Sequence, residues 1–122
     1  MRRNVRLDIA AVGVAIAAFG LASCSSGSSD ELDTAVQFDA RLTAFTEDEY
    51  RALAGPVEFT YNNGDTIPHS LVIEGVDDFR MLVSGLDDTA TETLDLEAGT
   101  YVVFCDIVGH REQGMETVLT LE

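Results

Sequence analysis

Three residues near the C-terminus are the ones whose types could do chemistry together. Cys105, His110 and Met115 stand in the run C-D-I-V-G-H-R-E-Q-G-M, a C-x4-H-x4-M spacing. The second histidine, His69, lies upstream in Ile67-Pro68-His69-Ser70. The set is one thiolate, two imidazoles and one thioether. Two His and one Cys in a near-trigonal plane, with a long and weak axial Met, make a blue-copper site. Thiolate and thioether are soft and stabilise Cu(I), while imidazole suits both Cu(I) and Cu(II). A geometry between the preferences of the two states needs little rearrangement when one electron moves. Taken singly, each residue has a plainer reading: His69 as a loop histidine, Met115 as a core gap-filler, Cys105 as a small buried hydrophobe. Their order and spacing together favour the metal.

Such ligands must be brought together by a scaffold, and the rest of the chain reads as short strands. Val36, Phe38 and Ala40 alternate with polar neighbours over 34–42, and Val57, Phe59 and Tyr61 alternate with Glu58 and Thr60. Asn62-Asn63-Gly64-Asp65 is a turn cluster. Strands are expected at 70–74 (SLVIE), 91–96 (TETLDL, with Leu94 and Leu96 on one face), 100–105 (TYVVFC, the most apolar and hence central) and 116–121 (ETVLTL). Turn signals recur every 10–15 residues or so, the pattern of a small antiparallel sandwich or barrel. One segment is contested. Thr46 followed three residues later by Glu49 fits a helical capping box, yet Tyr50 to Leu53 also fits a strand before the Ala54-Gly55 turn. In this arrangement Cys105 ends a strand. Gly109 and Gly114 let the following loop turn tightly, and His69 arrives from a separate strand.

These residues resemble the cupredoxins, in particular the small plastocyanin- and azurin-like blue copper proteins. The resemblance is carried by Ala54-Gly55-x-Val57-x-Phe59, Asn62 or Asn63, Pro68-His69, and Gly99-Thr100-Tyr101 running to Cys105, His110 and Met115. It spans roughly 34–122. It implies an all-β, Greek-key sandwich or barrel of about seven to eight short strands, and tips the segment at Tyr50 toward strand. It implies one type 1 copper, with His69, Cys105 and His110 equatorial and Met115 axial. It also implies an electron carrier with no substrate turnover, whose exit is the ring edge of His110 in an apolar patch that includes Ile107 and Val108. One position departs from the pattern. Ser70 follows the first histidine where the family usually has Asn, a residue that pins the ligand loop and so bears on potential and rigidity.

Other chemistries fit less well. Thioether is a poor zinc ligand. A binuclear copper centre needs a second Cys in the ligand loop, and copper oxidases or nitrite reductases need more His than the two present. A Cys–His nucleophile pair leaves His69 and Met115 unexplained. The readings that stay open beside the carrier are a copper-binding or copper-delivery protein and a metal-free structural lipoprotein.

The N-terminus reads as an address. Arg2, Arg3 and Arg6 precede an uncharged apolar run from Ile9 to Gly20, too short to span a bilayer and suited to a signal peptide. Leu21-Ala22-Ser23-Cys24 is similar to a bacterial lipobox, which implies cleavage after Ser23 and a lipid on Cys24. Arg2-Arg3 hints at twin-arginine export, against which Arg6 counts, so the general route stays open. The expected organisation is a signal peptide at 1–23, a Ser/Gly/acidic tether at 24–33 and a copper-binding domain at 34–122. The expected place is the outer face of the cell membrane, periplasmic or extracellular.

Charge bounds the partners. The chain has seven Arg, no Lys and 22 acids, a formal −15. Setting aside residues 1–23 removes three Arg and Asp8, so −15 becomes −17. Nucleic acid is excluded as a partner, because its phosphates demand clustered Lys and Arg. Anionic clusters at 47–49, 77–78 and 87–88 either solvate the surface or steer the protein toward a basic redox partner such as a c-type cytochrome or a terminal oxidase or reductase. A monomer is expected, held to the membrane only through Cys24.

Overall fold

In a computed structural model of the protein, the described residues are 32–122. The expected signal peptide at 1–23, Cys24 and nearly all of the expected tether at 24–33 lie outside the described residues. Nine strands form two sheets: β1 (Ala35–Arg41), β2 (Ala44–Phe45), β3 (Glu49–Ala52), β4 (Gly55–Asn63), β5 (His69–Ile73), β6 (Arg80–Val83), β7 (Thr89–Leu96), β8 (Gly99–Phe104) and β9 (Glu116–Leu121). One sheet has the order β2-β1-β4-β7 and the other β3-β9-β8-β5-β6. No described helix is long and apolar enough to cross a membrane.

Period-two alternation builds the sandwich. Side chains on a strand point to opposite faces in turn, so Val36, Phe38 and Ala40 of β1 and Val57, Phe59 and Tyr61 of β4 are all buried. They meet Leu71 and Ile73 of β5, Val103 of β8 and Leu119 and Leu121 of β9 in one core. Aromatic rings tie the layers together. Phe38 lies 4.1 Å from Tyr50 of the other sheet, and Phe59 lies 5.2 Å from Phe79, centroid to centroid.

The sandwich, the central place of β8 and the strand at Tyr50 match the sequence reading, and two details differ. Among the described residues there are nine strands where seven or eight are expected. The additional ones are the two-residue β2 and the four-residue β6, in which Met81 and Val83 continue the inward period-two pattern begun by Phe79 just before it. β6 was missed because Leu82, 48% exposed on the outer face, hides that alternation. The sheets are also mixed rather than antiparallel, since β1 pairs with β4 and β3 with β9 in parallel. Parallel neighbours need a crossover. Here the chain leaves the first sheet after β2, lays β3 on the edge of the second, and returns as β4.

The topology gathers one end. Both neighbours of β8 run antiparallel to it, with Phe104 opposite Val72 of β5 and Glu116 of β9. The beginnings of β5 and β9 therefore lie where β8 ends. His69 is the first residue of β5, Cys105 follows β8 and Met115 precedes β9.

Candidate metal centre

The structure brings the sequence-selected residues together. One ligand atom each from His69, Cys105 and His110 lies within 4.8 Å of the others. His69 and Cys105 are fully buried and His110 is half-buried. The two imidazole rings stand 5.1 Å apart, and Nδ1 of His110 is 3.5 Å from Sγ of Cys105. Met115 is fully buried in the same core. Its carbonyl accepts a bond from the Cys105 N–H at 3.1 Å, and its N–H donates to the His110 carbonyl at 3.0 Å.

Local backbone bonds shape the ligand loop. The His110 N–H donates to Ile107, Gln113 to His110, and Gly114 to Arg111, around a short 3-10 turn at Arg111–Gln113. Gly109 at φ +87° and Gly114 at φ +105° occupy left-handed backbone, which glycine adopts without the Cβ penalty. Arg111 stacks over the Phe104 ring at 3.9 Å and bonds Glu74 and Glu116, whose carboxylates push the pKa of its guanidinium still higher. Val108 is almost fully exposed, while Ile107 packs partly on the core.

His69 is set differently. Asn63, buried at the end of β4, donates from Nδ2 to the Ile67 carbonyl and accepts from the Asp65 N–H. That turn places Asp65 against His69, with Nε2 at 3.2 and 3.1 Å from the two carboxylate oxygens. Asp65 also accepts from the backbone N–H groups of Ile67 and Leu42. Burial pushes its carboxyl up, but these bonds outweigh it and hold the group below the usual carboxylate range. The pairing assigns the ring proton to Nε2. Nδ1 is then left buried with no hydrogen-bond partner. A buried polar atom without a partner is costly, and a metal ion is a partner that neutral imidazole nitrogen accepts. With a thiolate, a second imidazole and a thioether beside it, the donor set suits copper.

Ser70, the departure from the resembled pattern, ties the start of β5 to the Cys105 segment. Its backbone N–H reaches the Cys105 sulfur at 3.3 Å and its Oγ lies 3.4 Å from it. The same hydroxyl is 2.5 Å from Oδ1 of Asp106 and accepts from the Asp106 N–H at 2.9 Å. A serine has one hydroxyl proton, and the shorter carboxylate contact takes it. The sulfur is therefore bonded chiefly through the backbone of Ser70. Arg80 on β6 completes the chain with Nε 2.9 and 3.1 Å from Asp106, and together with Ser70 lowers that carboxyl. From the other sheet, the buried Tyr61 hydroxyl donates to the Ser70 carbonyl at 3.1 Å.

Sequence reading missed Asp65, Asp106, Arg80 and Tyr61. Asp65 was seen only as part of a turn cluster, and Asp106 only as a neighbour of Cys105. Asp106, Arg80 and Tyr61 act through contacts across strands, and Asp65 through the folded shape of its own turn, four residues from His69; spacing reveals neither. Cys24, the other singled-out residue, lies outside the described residues.

No protein-family model matches the sequence, and no curated protein matches it. Solved structures do match the fold. A dithionite-reduced auracyanin from the photosynthetic bacterium Roseiflexus castenholzii superposes with a TM-score of 0.65 at 20% identity, covering 75% of this chain and 98% of that one. Auracyanin A, a blue copper protein from the green thermophilic photosynthetic bacterium Chloroflexus aurantiacus, gives 0.58 at 16% identity, covering 72% and 98%. Auracyanin B gives 0.56 at 17% identity, covering 72% and 88%. The chain shares the fold of these proteins, the cupredoxin sandwich anticipated from its sequence.

Proposed function

We propose that this protein binds one type 1 copper through His69, Cys105, His110 and Met115 and carries single electrons between redox proteins. The observation that carries the reading is the convergence of two imidazoles and a thiolate within 4.8 Å, with Nδ1 of His69 buried and unpartnered. The fold supports it, since auracyanin A is itself a blue copper protein. Bound there, copper supplies a one-electron couple between Cu(I) and Cu(II). The chain's own residues hold that couple in a fixed frame. Buried His69 and Cys105 exclude water from one side, while half-buried His110 brings the site to the surface. Val108 beside it offers an apolar contact for brief docking, as transient redox interfaces are small. With both histidines used, nothing remains for a second copper site, so a carrier is favoured over an enzyme.

The partners in this reading are redox proteins, such as a c-type cytochrome or a terminal oxidase or reductase, and the protein works as a monomer. Its place is the outer face of the membrane, through lipid on Cys24, a reading that rests on the signal and lipobox pattern of residues 1–24. Adding Cu(II) to the metal-free protein tests the core of the proposal. An intense blue thiolate-to-copper band is expected, and Cys105→Ser should abolish it. Absence of the band in the unaltered protein would sink the ligand assignment and the carrier together. Reversible reduction by a cytochrome favours the carrier, whereas transfer of the copper itself to an acceptor favours the delivery reading.

A further inference from the structure

We propose that Asp65 is a positioning residue that fixes His69 as an Nδ1 ligand and, through the Nε2–H bond, biases the copper couple toward Cu(II). The inference rests on the copper reading above and extends it to a residue outside the ligand set. Three observations carry it. Both carboxylate oxygens of Asp65 lie within 3.2 Å of Nε2 of His69. The His69 ring is fully buried, so water cannot replace that acceptor. The other ring nitrogen is the buried atom left without a partner.

The chemistry follows from the tautomer. A neutral imidazole carries one N–H and one lone pair. Asp65 accepts the N–H at Nε2, so the lone pair is at Nδ1, facing no other partner. An anionic acceptor on the far nitrogen also raises the basicity of the near one, which is how outer carboxylates act on metal-bound histidines. A more basic nitrogen favours the more highly charged ion. The one-electron reduction of Cu(II) to Cu(I) should therefore be harder with Asp65 than without it. Asp65 is itself held in place, since Leu42 and Ile67 donate backbone N–H bonds to its two oxygens and Asn63 accepts its own N–H. It therefore acts from a fixed position in the β4–β5 turn.

The test uses Asp65→Asn, which retains an oxygen acceptor and the side-chain shape but not the charge, alongside Asp65→Ala. Nitrogen-15 NMR of the full metal-free chain should show His69 as a single Nε2–H tautomer, becoming a mixture in Asp65→Ala. On the copper-loaded protein, both variants should raise the reduction potential. Cu(II) affinity should fall by roughly 10–100-fold, the usual effect of losing such a partner, and Cu(I) affinity by less. A thermal melt of each variant checks that the fold is intact, and Asp65→Asn keeps the test open if Asp65→Ala unfolds. A mixed tautomer in the unaltered protein, or an unchanged potential in folded Asp65→Asn, overturns the proposal. If the unaltered protein took up no copper, the copper reading and the bias would both fall. The NMR arm would still decide whether Asp65 orients His69.

Discussion

The two histidine rings stand 5.1 Å apart, yet they are held by opposite kinds of structure. His69 begins a strand whose inward side chains are in the core, and side chains fix it: Asp65 on its ring, Asn63 on its turn, and Tyr61 from the other sheet on the next residue. His110 sits in a loop closed by its own backbone, with Gly109 and Gly114 in left-handed turns. The first arm is held by side chains of its own turn and of the other sheet, the second by the backbone of its own loop. A site assembled this way has one ligand that cannot shift without the core and one that can meet solvent.

Substitutions can break or sharpen that contrast, each read as stability of the metal-free protein in denaturant. The largest effect is expected in the core-borne arm. Leu71 is fully buried two residues beyond His69, and Leu71→Ala should cost about 2–5 kcal/mol, the range for large-to-small core changes. A loss below 1 kcal/mol would mean that β5 is not anchored as described. Gly114→Ala tests the loop. An added Cβ meets nothing within 4 Å, so only the backbone at φ +105° resists it, and the expected cost is about 1–2 kcal/mol. If it behaved like an ordinary surface change, the left-handed turn would not be what shapes the loop.

The smallest effect near neutral pH belongs to Tyr61→Phe. It removes one buried hydrogen bond to the Ser70 carbonyl and should cost roughly 1 kcal/mol, slightly more if the carbonyl finds no substitute. Its pH dependence is sharper than its size. Burial, with smaller electrostatic repulsion from Cys105, Tyr50 and Asp65, pushes the Tyr61 phenol far above its ordinary value. Below the unfolded value of about 10 the hydroxyl is protonated in both states and its contribution is fully present. As pH rises beyond that, the unfolded chain ionises first and stability falls. Stability measured at rising alkaline pH should therefore fall more steeply in the unaltered protein than in Tyr61→Phe. Equal slopes would remove Tyr61 from the set of residues that pin β5.

How much of this was legible in the sequence follows the same division. The loop arm was readable because its information is local: Cys105, His110 and Met115 at fixed spacing, with glycines where the turns fall. β1, β4 and β9 were readable because buried and exposed residues alternate cleanly. β6 was not, since an apolar residue on its outer face masks the period. The parallel pairings were not, since strand order across a sandwich leaves no mark on the strands themselves. Asp65 was the least legible residue of all. A carboxylate in an Asn-Asn-Gly-Asp turn looks like ordinary turn chemistry until the fold sets an imidazole beside it. Ser70 was legible as a departure, but its partnership with Asp106 and Arg80 appears only when β5, β6 and the end of β8 are side by side.

The parallel pairing of β1 with β4 also orients the molecule. β4 ends at Asn63, beside the turn that presents His69, so β1 runs toward the metal end and begins at the other. The chain enters at that far pole, where the Leu53 N–H bonds Asp33 and the C-terminal Glu122 bonds Ala54. Nine strand residues at about 3.3 Å each separate the two poles by roughly 25–30 Å. Anything that holds this domain by its N-terminus thus grips it at the pole opposite the half-buried histidine.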